Sequence, residues 1–204
     1  MANSYFGRVG RALRRGRLGI GTVALAYFLS AAIGIVLVHA GNGFSLSYGD
    51  KIVSRAHESS AILKALRDHR PMTAAAMDFA ANLTGGAATT LAGYWAPAVY
   101  PVAIYRGWIG GIVSVDRNHR SRFAERAQAR YYFLTLLLQL IPYSLAGGAG
   151  VNIGIARIRP SGHYSGPKVL GIPWEAVLDT ARIYTVVIPL FFIASTFEFL
   201  ALPG

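Results

Sequence analysis

Five polar side chains fall inside otherwise apolar stretches of this 204-residue chain: Asn82, Arg106, Gln139, Asn152 and Glu198. Polar groups are costly in hydrocarbon and need partners there, and intramembrane acids, guanidinium groups and amides also line ion and proton paths. The sharper expectation is one polar cluster, with Glu198 paired to Arg106 or to Asn82. Two milder expectations stand beside it. Glu198, in IASTFEFLALPG, reaches the interface near the end of the chain. Arg106 snorkels to the headgroups along its own methylenes.

Other chemistry finds little support. The histidines are His39, His57, His69, His119 and His163, and only His39 touches an apolar stretch, where an interfacial role is the default. Metal ligation needs several converging ligands, and no such spacing occurs. There is no cysteine, which excludes disulfides, thiolate metal sites and cysteine catalysis. No Gly-rich loop follows a strand and opens a phosphate-binding helix. The chain reads as non-enzymatic, with no cofactor and no metal.

The elements that hold these residues are long and apolar. Residues 18–40 read LGIGTVALAYFLSAAIGIVLVHA, and no Lys, Arg, Asp or Glu occurs between Arg17 and Asp50. One helix of that length crosses a hydrocarbon core of roughly 30 Å. Similar stretches recur at 79–105, 107–115, 131–156 and 183–197. The composition agrees: 53% of residues are hydrophobic and 14% charged, against about 25% charged in a soluble domain. The expectation is an all-α, polytopic transmembrane bundle of about five spans, near 18–40, 76–95, 98–115, 131–156 and 181–202. Residues 18–204 form a single membrane domain, preceded by a basic cytoplasmic segment at 1–17.

Charge sets the expected topology and surroundings. The 20 Lys and Arg outnumber 9 Asp and Glu, a net charge of +11. Because the arginines flank apolar spans, they are read as topology signals and contacts for anionic lipid headgroups, not as a nucleic-acid surface. Arg8, Arg11, Arg14, Arg15 and Arg17 place the N-terminus in the cytoplasm of a multi-pass cell-membrane protein. The first apolar run is longer than a signal-peptide h-region and is read as a retained span.

Between the spans, GNGFSLSYG at 41–49 reads as a turn-rich loop. Residues 50–69 read as an amphipathic helix, with Ile52, Val53, Ala56, Leu63 and Leu66 at helical spacing. Residues 72–115 carry charge only at Asp78 and Arg106 and are too long for one span. Pro97 and Pro101 bracket WAPAVYP, so a helical hairpin turning near Trp95–Pro97 is expected; one span plus a re-entrant segment is the alternative. Residues 116–130 form a basic loop, and 157–180 a Gly- and Pro-rich one. Gly107, Gly111, Gly147, Gly150 and Gly154 are small positions where helices approach closely, within the chain or against a second copy.

Three segments carry a family resemblance. QLIPYSLAGGAGVNIG (139–154) resembles the Gly-rich signature of the stage II sporulation protein M family, with Ala146, Gly147, Gly150 and Gly154 on its small positions. FAANLTGG (79–86) resembles the family's second-span opening, with Asn82 on an asparagine position. IPLFFIASTFEFL (188–200) resembles its closing segment, with Glu198 on the glutamate. Gln139 departs from the pattern, standing where the family has glutamate, and Arg106 stands near the family's Asn-Gly pair. The resemblance implies an integral membrane protein of about five spans in a larger membrane complex.

The leading expectation is thus a non-enzymatic membrane subunit or scaffold whose partners are lipid, other membrane subunits and, through its Gly faces, a second copy. The rival is a small oligomeric channel or transporter with Asn82, Arg106, Gln139 and Glu198 on a polar path and helices broken at prolines. A third reading is an accessory subunit of an energy-transducing complex. Convergence of the polar groups on a cavity, or their sealing by packing, separates transport from scaffold.

Overall fold

The computed structural model describes residues 4–159, 164 and 166–201. His163 lies outside the described residues, as does the far end of the stretch expected to span 181–202. The fold is all-α: α1 (Tyr5–His39), α2 (Gly43–Ser59), α3 (Ala61–Arg67), α4 (Pro71–Ala92), α5 (Val99–Ile112), α6 (Arg126–Ile158) and α7 (Trp174–Leu200). A two-stranded hairpin, β1 (Lys168–Val169) and β2 (Ile172–Pro173), precedes α7. Its turn residues Leu170 and Gly171 both have positive φ, 51° and 78°. Such a turn matches the twist of the short strands it joins.

Three helices, α1, α6 and α7, are long and apolar enough to cross a membrane, which marks the chain as a membrane protein. The expectation of about five spans is met in part. At about 1.5 Å per residue, the 14 residues of α5 rise only about 21 Å, short of a roughly 30 Å core. The helix α4 is not among the three.

Several boundaries differ from the sequence reading for local reasons. The basic segment 1–17 is not separate. Ser4 caps α1 by accepting from the Gly7 amide, and with no proline to interrupt it the helix runs through the arginines into the apolar run. Residues 43–49 are helical rather than looped, because Asn42 Oδ1 accepts from the Ser45 amide and starts α2 there. The single amphipathic helix at 50–69 is two helices: Ser60 leaves the helical region at ψ 116° and caps α3 instead. Residues 126–130 belong to α6, and Trp174 already begins α7.

The helical run is interrupted between α4 and α5 at Gly93–Ala98, where a 3-10 turn over Ala96–Ala98 carries Pro97. The two helices diverge from that turn. The first packs on α6 and α7, the second on α1. What holds each contact is the absence of side chains. A Cβ on Gly111 would collide with the Ala31 carbonyl, and one on Gly107 with the Tyr27 carbonyl, so α5 lies against the α1 backbone. Ser30 Oγ reinforces this seam by donating to the Ile104 carbonyl. A Cβ on Gly150 would stand 2.7 Å from the Thr90 carbonyl, and one on Gly154 would strike the Gly93 carbonyl. The Gly147 position is closed by Val23 and Val99. All five glycines therefore serve contacts within the chain. The core between them holds Val23, Tyr27, Val99, Tyr143, Ile183, Val187 and Phe191.

Candidate functional site: a polar cavity between diverging helices

The divergence of α4 and α5 leaves a cavity of about 1200 Å³ at the end of the bundle away from their connecting turn. The gap is walled by α6 and α7 and flanked by Ile52, Arg55 and Leu63 of α2 and α3. Four of the five sequence-predicted polar residues, Asn82, Arg106, Gln139 and Glu198, line it. Asn152 does not. It donates to Tyr164 Oη at 2.7 Å, and Tyr164 donates to the fully buried Asp179, in a second cluster toward the N-terminal end of α1.

Within the cavity the pairings differ from the expected ones. Glu198 Oε2 accepts from the Gln139 amide at 3.0 Å, not from Arg106 or Asn82. Tyr131 Oη donates to the Glu198 backbone carbonyl, tying the starts of α6 and the end of α7. Asn82 donates from Nδ2 to Asp78 Oδ2 at 2.7 Å and accepts at Oδ1 from Tyr143 Oη at 2.8 Å. Ser195 Oγ also donates to Asp78 Oδ2 at 2.7 Å. Arg106 stacks its guanidinium over the Tyr143 ring, 4.1 Å from the centroid, a cation–π contact. It makes no ion pair among the described residues. It reaches α4 because Gly85 has no side chain: a Cβ there would stand 2.5 Å from Arg106 Nη2.

Asp78, Tyr143 and Ser195 belong to the site and were not singled out from sequence. A signal for Asp78 existed. Asp78 and Asn82 are four residues apart in an apolar helix, so both face one side and can pair. Nothing in the sequence marked Tyr143 or Ser195 apart from the many other hydroxyls of the chain.

Chemically, the cavity is lined by two carboxylates, Asp78 and Glu198, and three arginines, of which Arg106 and Arg122 are half-buried and Arg55 is exposed at the edge. Such a lining can take both charge signs of one solute. Its two carboxylates can also take up and release protons. His39, the sole histidine beside an apolar stretch, is engaged elsewhere. Its ring lies on Phe123 and its Nε2 is 2.8 Å from Ser121 Oγ. Among the described residues no group of His, Asp and Glu converges as a metal site. Comparison of the chain with protein-family models, with curated proteins and with solved structures finds no match.

Proposed function

We propose that the protein is a small transport protein of the cell membrane that takes a small polar solute, or protons, through the cavity between α4, α5, α6 and α7. The observation that carries this reading is convergence. Asp78, Asn82, Arg106, Gln139 and Glu198 come from four helices and line one open cavity instead of being separately sealed by packing. In this reading Asp78 and Glu198 face the cationic part of a solute and Arg106 the anionic part. The hairpin of α4 and α5 enters the bilayer beside three full spans, and the arginine-rich start of α1 faces the cytoplasm.

The test is flux. The purified chain is reconstituted in liposomes and assayed for uptake of a radiolabelled L-amino-acid mixture and for proton movement reported by trapped pyranine. Flux above protein-free vesicles is expected, abolished by Asp78→Asn and by Glu198→Gln with assembly intact. Absence of both signals would sink the transport reading.

A second reading, a subunit or scaffold of a membrane complex, has its own support. The acids already have partners within the chain, so the network also pins α4, α6 and α7 together. The likeness of three segments to the stage II sporulation protein M family points the same way. Under this reading Glu198→Gln loosens assembly and lowers capture of other membrane subunits in a mild-detergent pull-down.

A further inference from the structure

At the other end of the bundle a second pocket, about 660 Å³, opens between the start of α1 and the end of α6. Its lining is arginine: Arg11, Arg14, Arg15 and Arg17 on consecutive turns of α1, and Arg159 just beyond α6. No acidic side chain lines it among the described residues. We infer that this pocket is a binding site for a phosphate-bearing group, either the headgroup of an anionic phospholipid or a free phosphate.

Three observations support this. First, the site is built rather than a loose charged surface. Arg15 is locked from behind, with its Nε 3.0 Å from Asp179 Oδ2 and its Nη2 3.4 Å from Glu175 Oε1. Those same carboxylates are each held at 2.7 Å by Arg182 Nη1. Asn152 and Tyr164 complete the wall and fix Asp179 in turn. Second, that inner set is balanced, two acids against two arginines, so it cannot neutralise the outer arginines. Arg14 and Arg17 are exposed, and neither they nor Arg159 make an ion pair among the described residues. An anion is the occupant that this field selects, and the planar guanidinium fork fits phosphate oxygens bidentately. Third, the rim is apolar on the side that follows the helices. Leu18, 75% exposed, and Ile155, 50% exposed, continue from the pocket along α1 and α6 and offer a track for acyl chains. Gly19, also in the lining, lets α1 close against α6 beneath the pocket, since a Cβ there would stand 2.9 Å from the Gly148 carbonyl.

The inference is independent of transport through the other cavity. The full chain, delipidated in dodecyl maltoside, is titrated with dioctanoyl phosphatidylglycerol, dioctanoyl phosphatidylcholine and inorganic phosphate, and binding is followed by tryptophan fluorescence and native mass spectrometry. Arg14→Gln/Arg17→Gln/Arg159→Gln should weaken phosphatidylglycerol binding by about tenfold or more, the scale of losing charge-assisted bonds. The same change of charge between α5 and the first residue of α6, Arg117→Gln/Arg120→Gln/Arg126→Gln, should leave affinity within about twofold, because screened surface charge contributes little at a distance. Because the first variant also removes topology signals, Arg14→Lys/Arg17→Lys/Arg159→Lys provides a parallel arm. It keeps charge and orientation but loses the forks, and should bind about threefold or more weakly. Saturable phosphatidylglycerol binding with this pattern identifies a lipid site. The same pattern with inorganic phosphate, and none with lipid, identifies a free-phosphate site. Equal losses in the Arg117/Arg120/Arg126 variant, or affinities within about twofold of the parent in both pocket variants, overturn the inference.

Discussion

The Gln139 side-chain amide stands 3.0 Å from Glu198 Oε2 and is its one side-chain donor among the described residues. The bond joins the middle of α6 to the last turns of α7. Gln139→Leu should leave the carboxylate without a donor and cost about 1–3 kcal/mol. Glu198→Leu should cost a similar amount. The double variant Gln139→Leu/Glu198→Leu should cost clearly less than the sum, because each partner's loss is the other's isolation. Thermal unfolding in detergent by circular dichroism gives the cycle. Strict additivity would mean that the two side chains do not interact in the membrane.

Asn82 is bonded at both ends, to Asp78 and to Tyr143, and so links α4 to α6. Asn82→Leu removes both bonds and leaves Asp78 with Ser195 as its remaining hydroxyl donor. Tyr143→Phe removes one bond and keeps the ring under Arg106 and against Phe191. Interhelical hydrogen bonds in membranes are worth about 0.6–2 kcal/mol. The expected order of stability is therefore parent, then Tyr143→Phe, then Asn82→Leu. The reverse order would show that the Tyr143 hydroxyl has a second role.

How far these features could be read from sequence depends on range. The apolar lengths of α1, α6 and α7 were legible because span length is a local property, and the polar residues stood out against them. Which polar residue meets which was not. Glu198 and Gln139 meet only because α6 and α7 run side by side with α4 packed on both, a relation that no local pattern encodes. Asn152 stands out against its apolar stretch in the same way, yet it lies more than two further helical turns along α6 from Tyr143 and reaches Asp179 through Tyr164 instead. The boundaries missed at Asn42 and Ser60 turned on single capping side chains, whose bonds compete closely with continued helix or loop.

Glycine substitutions should separate tight seams from open faces. Gly111→Ala places a methyl group against the Ala31 carbonyl and the Gly34 Cα, where backbone cannot move aside cheaply. A loss of about 1–3 kcal/mol is expected from overpacking. Gly10→Ala sits in the same kind of helix with nothing within 4 Å of the added carbon, so it should be neutral or stabilise by about 0.5–1 kcal/mol through helix propensity. Equal behaviour of the two variants in thermal melts would show that α1 and α5 do not touch along Gly111.

The loop between α5 and α6 should depend on pH through one exposed carboxylate. Asp116 Oδ1 accepts from the backbone amides of Asn118 and Arg120, each at 2.8 Å, and closes a turn that holds His119 at a φ of 58°. Those amide donors, that of Arg120 foremost, and the nearby Arg120 and Arg122 guanidinium groups hold the carboxyl below the ordinary carboxylate range. Because the folded value is depressed, the ordering it contributes is complete above the ordinary value of about 3.9 and is lost as the pH falls below it. Hydrogen exchange at the Asn118 and Arg120 amides, corrected for intrinsic rates, should therefore show steady protection from pH 7 to about 5 and a decline below about 4. Asp116→Ala should remove that protection at every pH. Asp116→Asn, which keeps an acceptor oxygen but no charge, should retain part of it with no pH dependence. Protection in the parent that stays flat to the lowest pH would show that the backbone bond from the Asp116 amide to the Arg120 carbonyl, and not the side chain, orders the loop.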